Sequence, residues 1–136
     1  MKSKKADMEI KVDEESRDES WLTENFDGQL SVDVYQTEKE IVVKSTIAGV
    51  AVEDLDISLH NDMLTIRGKR NKDYEINPDD YFYQECYWGG FSRSIILPIE
   101  VKADEIAATL KNGILTVTLP KAQKSSLKIV NIKEEE

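Results

Sequence analysis

Basic charge, cysteine, histidine and proline are all scarce in this chain, and each shortage closes off a class of function. Its 136 residues hold 18 Lys and Arg against 27 Asp and Glu, a formal net charge of -9. Without a basic excess to displace counterions from a polyanion, nucleic-acid binding is not expected. Attachment to an anionic membrane is disfavoured for the same reason. A single cysteine, Cys86, allows no intramolecular disulfide and suits a reducing compartment. A single histidine, His60, cannot complete a zinc site with it, and Cys86 has no second His to activate it as a nucleophile. No apolar run approaches a membrane-spanning length, and residues 1–20 lack the apolar stretch of a secretory signal, so a cytoplasmic chain is expected.

Carboxylates are plentiful but not arranged. The spacing of Asp73, Asp79 and Asp80 does not supply the alternating ligands, central Gly and closing Glu of a calcium loop. Gly89-Gly90 precedes a strand instead of joining a strand to a helix, so it makes no phosphate cradle. No catalytic residue, cofactor or metal site is expected, and the chain does not read as an enzyme.

What is present is β-patterning. At 40% hydrophobic residues the chain has enough for a core, and its length fits one domain. Residues 1–28 are polar and charged until Trp21, Leu22 and Phe26, too poor in apolar surface to offset ordering entropy, and read as a mobile segment. The three apolar residues suit either a lid on the domain edge or an adhesive patch for other chains. From Gln29 the period is two. "QLSVDVY" places Leu30, Val32 and Val34 on one face of a strand, and "EIVVKSTI" reads as a second strand. "LDISLHNDMLTIRG" reads as a hairpin turning at Asn61-Asp62. A long polar stretch from Gly68 leads to "YFYQE", read as a short aromatic strand, and "FSRSIILP" is a strand stopped by Pro98.

The clearest piece is "ATLKNGILTVTLP". Asn112-Gly113 tolerates positive φ at both turn positions, so it predicts a two-residue hairpin with Leu110 opposite Leu115 and Ala108 opposite Val117. Many short strands without a long helix predict an all-β, immunoglobulin-like antiparallel sandwich over residues 29–121. Residues 122–136 form a tail, in which Leu127, Ile129, Val130 and Ile132 stand among charges.

"ECYWGGFSRSIILP" followed by "ATLKNGILTVTLPK" closely resembles the signature of the small heat-shock protein (α-crystallin domain) family. Glu85, Gly89, Phe91, Arg93, Leu97 and Pro98 match the first block, and Ala108, Asn112, Gly113, Ile114 and Leu115 the second. Gly49-Val50 and the Leu64-x-Ile-x-Gly68 run match earlier strands. Two positions depart. Cys86 stands where many members carry an Arg that pairs across a dimer, and Ala48 stands where Pro is usual.

The resemblance implies an ATP-independent chaperone of the stress response that holds non-native client proteins, assembling from homodimers into larger homo-oligomers. The insertion from Gly68 to Gln84 resembles the bacterial and plant branch, where such a loop carries a strand that crosses to a neighbouring subunit. The implied exchange residues are Tyr81, Phe82, Tyr83, Glu85 and Arg93, and the alternative is a hairpin folded on its own domain. In the family an Ile-x-Ile/Val pair in the tail docks between edge strands of another subunit. Here that pair is Val130 and Ile132, or else Leu127 and Ile129, and the groove is lined by Ile57, Leu59, Ala108 and Leu110. A tail folded on its own sandwich is the alternative.

Trp21, Leu22 and Phe26 are the candidate client contacts. Two other functions are weighed: a non-oligomerising co-chaperone of the same sandwich type, and a ligand-binding sandwich using Trp88 with Tyr81 and Tyr83. The first usually lacks the Asn-Gly-Ile-Leu block and the tail aliphatics; the second leaves the heat-shock block unexplained.

Overall fold

The computed structural model describes residues 10–12, 28–122 and 130–135. Its strands are β1 (Ile10–Val12), β2 (Gly28–Gln29), β3 (Asp33–Gln36), β4 (Glu40–Thr46), β5 (Leu55–His60), β6 (Met63–Arg70), β7 (Gly89–Ile96), β8 (Ala107–Lys111) and β9 (Ile114–Pro120). They build two sheets, ordered β1-β5-β6-β7-β2 and β3-β4-β9-β8. The β-sandwich expected from the alternating pattern is therefore the fold. Pairing is antiparallel except at two edges, where β1 runs parallel to β5 and β2 parallel to β7.

Period-two burial makes the core. Ile41 and Val43 of β4 and Leu115, Val117 and Leu119 of β9 point inward from one sheet. Ile57 and Leu59 of β5, Leu64 and Ile66 of β6 and Phe91 of β7 meet them from the other. Each such side chain contributes about 1.5–3 kcal/mol when fully buried, so the two inner faces are the main stabilising element. The β8–β9 hairpin has the register read from its turn: Leu110 opposite Leu115 and Ala108 opposite Val117, with Asn112 at φ 52° and Gly113 at φ 75°. The β5–β6 hairpin turns where expected too, with Asn61 at φ 56°.

Three expectations need correction. "QLSVDVY" is not one strand: β2 belongs to one sheet and β3 to the other, and the chain crosses between them at Leu30–Val32. Leu30 is buried while Val34 stays 42% exposed, so the three aliphatics do not share one face. The crossing is held by specific bonds. Leu30 N–H donates to the Ser92 carbonyl at 3.3 Å, Ser45 Oγ donates to the Ser31 carbonyl at 2.7 Å, and Arg93 Nη1 donates to the Leu30 carbonyl at 3.1 Å.

Second, "YFYQE" is not a strand: none of the described strands pairs with its backbone. Third, Ile10–Val12, inside the stretch expected to be mobile, is strand β1.

Candidate interaction surfaces

Gly68 shows how the strands position the surfaces. It lies opposite Phe91 on the inner face, and the Phe91 ring occupies the space above it. A Cβ at Gly68 would sit 2.7 Å from Phe91 Cε1 and 2.8 Å from Leu55 Cδ2. The guanidinium carbon of Arg70 lies 5.6 Å from the centre of the same ring. Arg70 Nε donates to the Ala48 carbonyl at 2.7 Å and Nη1 to the Tyr87 carbonyl at 3.3 Å. One side chain thus ties the β4–β5 connection, the end of the long loop and the core ring together.

The long loop between β6 and β7 is anchored at its ends and bare in its middle. Lys72 Nζ donates to the Tyr81 hydroxyl and lies 4.9 and 4.8 Å from the ring centres of Tyr74 and Tyr81. That hydrogen bond, reinforced by both tyrosines, raises the Lys72 pKa above its ordinary value against a smaller opposing effect of burial. A raised lysine stabilises while it is protonated, so the anchor holds at neutral pH and is lost only as pH climbs through the raised value. Tyr74 meets Trp88 edge-on at 6.0 Å. At the far end the Tyr87 hydroxyl donates to the Gly90 carbonyl and accepts from Gly28 N–H, which pins β2. Between the anchors Phe82 is 98% exposed and Tyr83 is 85% exposed. Glu85 and Cys86 are exposed as well, and Cys86 is unpaired.

Of the exchange residues expected from sequence, Phe82, Tyr83 and Glu85 are thus presented outward. Tyr81 is engaged by Lys72, and Arg93 is turned to the Leu30 carbonyl. Of the residues weighed for a ligand-binding sandwich, Trp88 packs on Tyr74, Tyr81 is bonded to Lys72, and Tyr83 is exposed.

The four expected groove residues all face the interior. Ile57 and Leu59 are buried, and half-buried Ala108 and Leu110 pack against the same core cluster. Among the described residues β8 is the last strand of its sheet, and β5 has only β1 outside it. Ile10, Lys11 and Val12 pair with Ile57, Ser58 and Leu59 in register, and half-buried Ile10 packs on the core. Beyond Leu59 the surface opens into a hollow of about 580 Å³ bounded by Asp62, Leu97, Ile99, Val101 and Ala103. In the tail Val130 is 77% and Ile132 95% exposed. The other candidate tail pair, Leu127 and Ile129, and the candidate client contacts Trp21, Leu22 and Phe26 lie outside the described residues.

The profile of the Hsp20/alpha crystallin family matches residues 33–133. This chain belongs to that family. Small heat shock protein C4 of Rickettsia felis is 34% identical over 100 residues, covering 74% of this chain and 61% of that protein. The chain therefore spans less than two thirds of that relative's length. Heat shock protein 16 of Schizosaccharomyces pombe is 35% identical over 111 residues, 79% of this chain and 78% of that one. The solved structure of heat shock protein 16.0 from the same yeast superposes with a TM-score of 0.66 at 35% identity, covering 77% of this chain and 98% of that chain.

The Hsp20 signature residues now have physical reasons. Gly68 makes room for Phe91, Asn112-Gly113 supplies the positive φ of the last hairpin, and Gly89 opens β7 at φ 127°. β1 and the Lys72 anchor were missed by sequence reasoning. The alternation in Ile10-Lys11-Val12, the same spacing as in the tail, was the available signal for β1.

Proposed function

We propose that this Hsp20-family chain is an ATP-independent holdase of a reducing cytoplasm, built from dimers into larger homo-oligomers that bind partly unfolded clients. The observation that carries this reading is the contrast between a sealed sandwich core and two extended segments with bare apolar side chains. Phe82 and Tyr83 project from one, Val130 and Ile132 from the other. Exposed aromatics and aliphatics at such density belong to surfaces that meet other chains. The family match also runs past β9 to residue 133, which takes in Val130 and Ile132.

A protein that binds the non-native state of a client acts by mass action and requires no fuel. It covers client surface that would otherwise pair with further copies. In the test, a heat-labile enzyme is warmed with a molar excess of this protein and no nucleotide. Light scattering of the enzyme is expected to be suppressed; scattering unchanged at every temperature up to the protein's own melting point sinks the holdase reading.

The dimer in this reading forms through the loop, with "YFYQE" gaining in a partner's sheet the backbone hydrogen bonds it lacks at home. Phe82→Ser with Tyr83→Ser removes two outward side chains and leaves the sandwich intact. Native mass spectrometry is expected to show monomers where the parent chain shows dimers and multiples of dimers. An undiminished dimer in the double variant removes the loop from the interface.

A further inference from the structure

We propose that Ile10–Val12 is a built-in plug for the β5 edge, competing with the tail pair Val130/Ile132 for one docking row. The inference rests on the tail reading above. β5 offers a single outward row of N–H and C=O groups, and in this structure Ile10, Lys11 and Val12 lie along it opposite Ile57, Ser58 and Leu59. A second strand cannot pair with the same row. Ile57 and Leu59 are the groove positions named for the tail, so the two candidate occupants claim the same residues.

The two ends of the chain are built alike. "IKVDEE" at residues 10–15 and "NIKEEE" at residues 131–136 both set aliphatics beside Lys and follow them with acids. Ile10-Lys11-Val12 and Val130-Asn131-Ile132 each place two aliphatics on one side of an extended backbone. Their present states differ. Ile10 is half-buried and packed on the core, while Val130 and Ile132 stand in solvent.

Tethering favours the internal occupant. A segment of the same chain sees the edge at an effective concentration in the millimolar range for a flexible link, independent of how much protein is present. A tail from another copy meets the edge at the bulk concentration. The plug therefore raises the protein concentration at which assembly sets in: docking of the tail requires β1 to leave, and the apparent affinity is reduced to the fraction of time the edge is open. Any condition that loosens β1 releases the edge for assembly without altering the tail.

Mass measured by light scattering over a dilution series of the full chain tests this. Ile10→Ser with Val12→Ser opens the edge. For a plug closed nine-tenths of the time, the concentration at which the assembly half-dissociates is expected to fall about tenfold. Placing Val130→Glu and Ile132→Glu in the same chain is expected to cancel the gain. An unchanged or raised midpoint in the plug variant, with the tail variant still shrinking the assembly, overturns the plug and leaves the tail reading standing. A tail variant that leaves the assembly intact overturns both.

A second pair of positions guards against misfolding. Lys11→Cys with Ser58→Cys, in a Cys86→Ser background, places thiols at paired positions of β1 and β5. Oxidation is expected to link them within one chain and hold the protein as dimers, and reduction is expected to restore the larger assembly. Full assembly of the oxidised protein, or a link that joins two chains, rules the plug out.

Discussion

Val130→Glu combined with Ile132→Glu is expected to reduce the assembly to dimers while leaving the melting temperature of the sandwich unchanged. Both side chains are largely in solvent, at 77% and 95% exposure, so charging them removes no packing within the subunit. In a docked tail each aliphatic would bury its surface between β5 and β8, contributing about 1.5–3 kcal/mol. Loss of both amounts to about 3–6 kcal/mol per contact, which weakens each tail contact by a hundredfold or more. Two carboxylates forced into an apolar groove add a desolvation cost, so the variant disfavours docking beyond mere deletion. Size-exclusion chromatography with light scattering reads the outcome. Retention of the full oligomer at the parent's concentration dependence eliminates tail docking.

Gly68→Val should have the largest effect on the fold itself. The position is an interior strand residue, where glycine ordinarily weakens pairing. It is present because the Phe91 ring fills the place of a side chain, with Leu55 closing the space from the other side. A valine there collides with an aromatic ring in a close-packed core, and overpacking of this kind costs about 3 kcal/mol. Against a total stability of roughly 5–15 kcal/mol for a small domain, that is a large share. The thermal midpoint is expected to drop by about 10 °C or more. The cause is checked by adding Phe91→Leu, which shrinks the neighbour. The double variant should lose less stability than the two single changes summed, because contacting residues couple. Strict additivity would show that the ring is not what excludes a side chain at Gly68.

The readable parts of the fold were the local ones. The β8–β9 hairpin follows from its turn dipeptide and four residues on either side, and its inward face of Leu115, Val117 and Leu119 follows from period two. The β5–β6 hairpin is the same case. That Ile57, Leu59, Ala108 and Leu110 face inward was legible for the same reason, since they are alternate residues of these two hairpins. The continuous alternation of Leu30, Val32 and Val34 concealed a change of sheet, since what decides it lies on other strands. Ser45 of β4 holds the crossing from nearby in the chain, and Ser92 and Arg93 of β7 hold it from much farther along. "YFYQE" misled in the opposite way: its aromatics favour a strand, but a strand needs a partner and none of the described strands pairs with it.

By itself the sequence determined the two hairpins, where they turn, which faces of their strands are apolar and to which family the chain belongs. All of these are written in alternation and turn chemistry over a few residues. Tertiary structure decided which strands lie at the edges and what lies along them. That choice rests on backbone N–H and C=O groups, which nearly every residue type carries alike, so composition marks it only faintly. Ile10-Lys11-Val12 is the example: three ordinary residues in a charged stretch, given a place only because β5 has an open row to meet them.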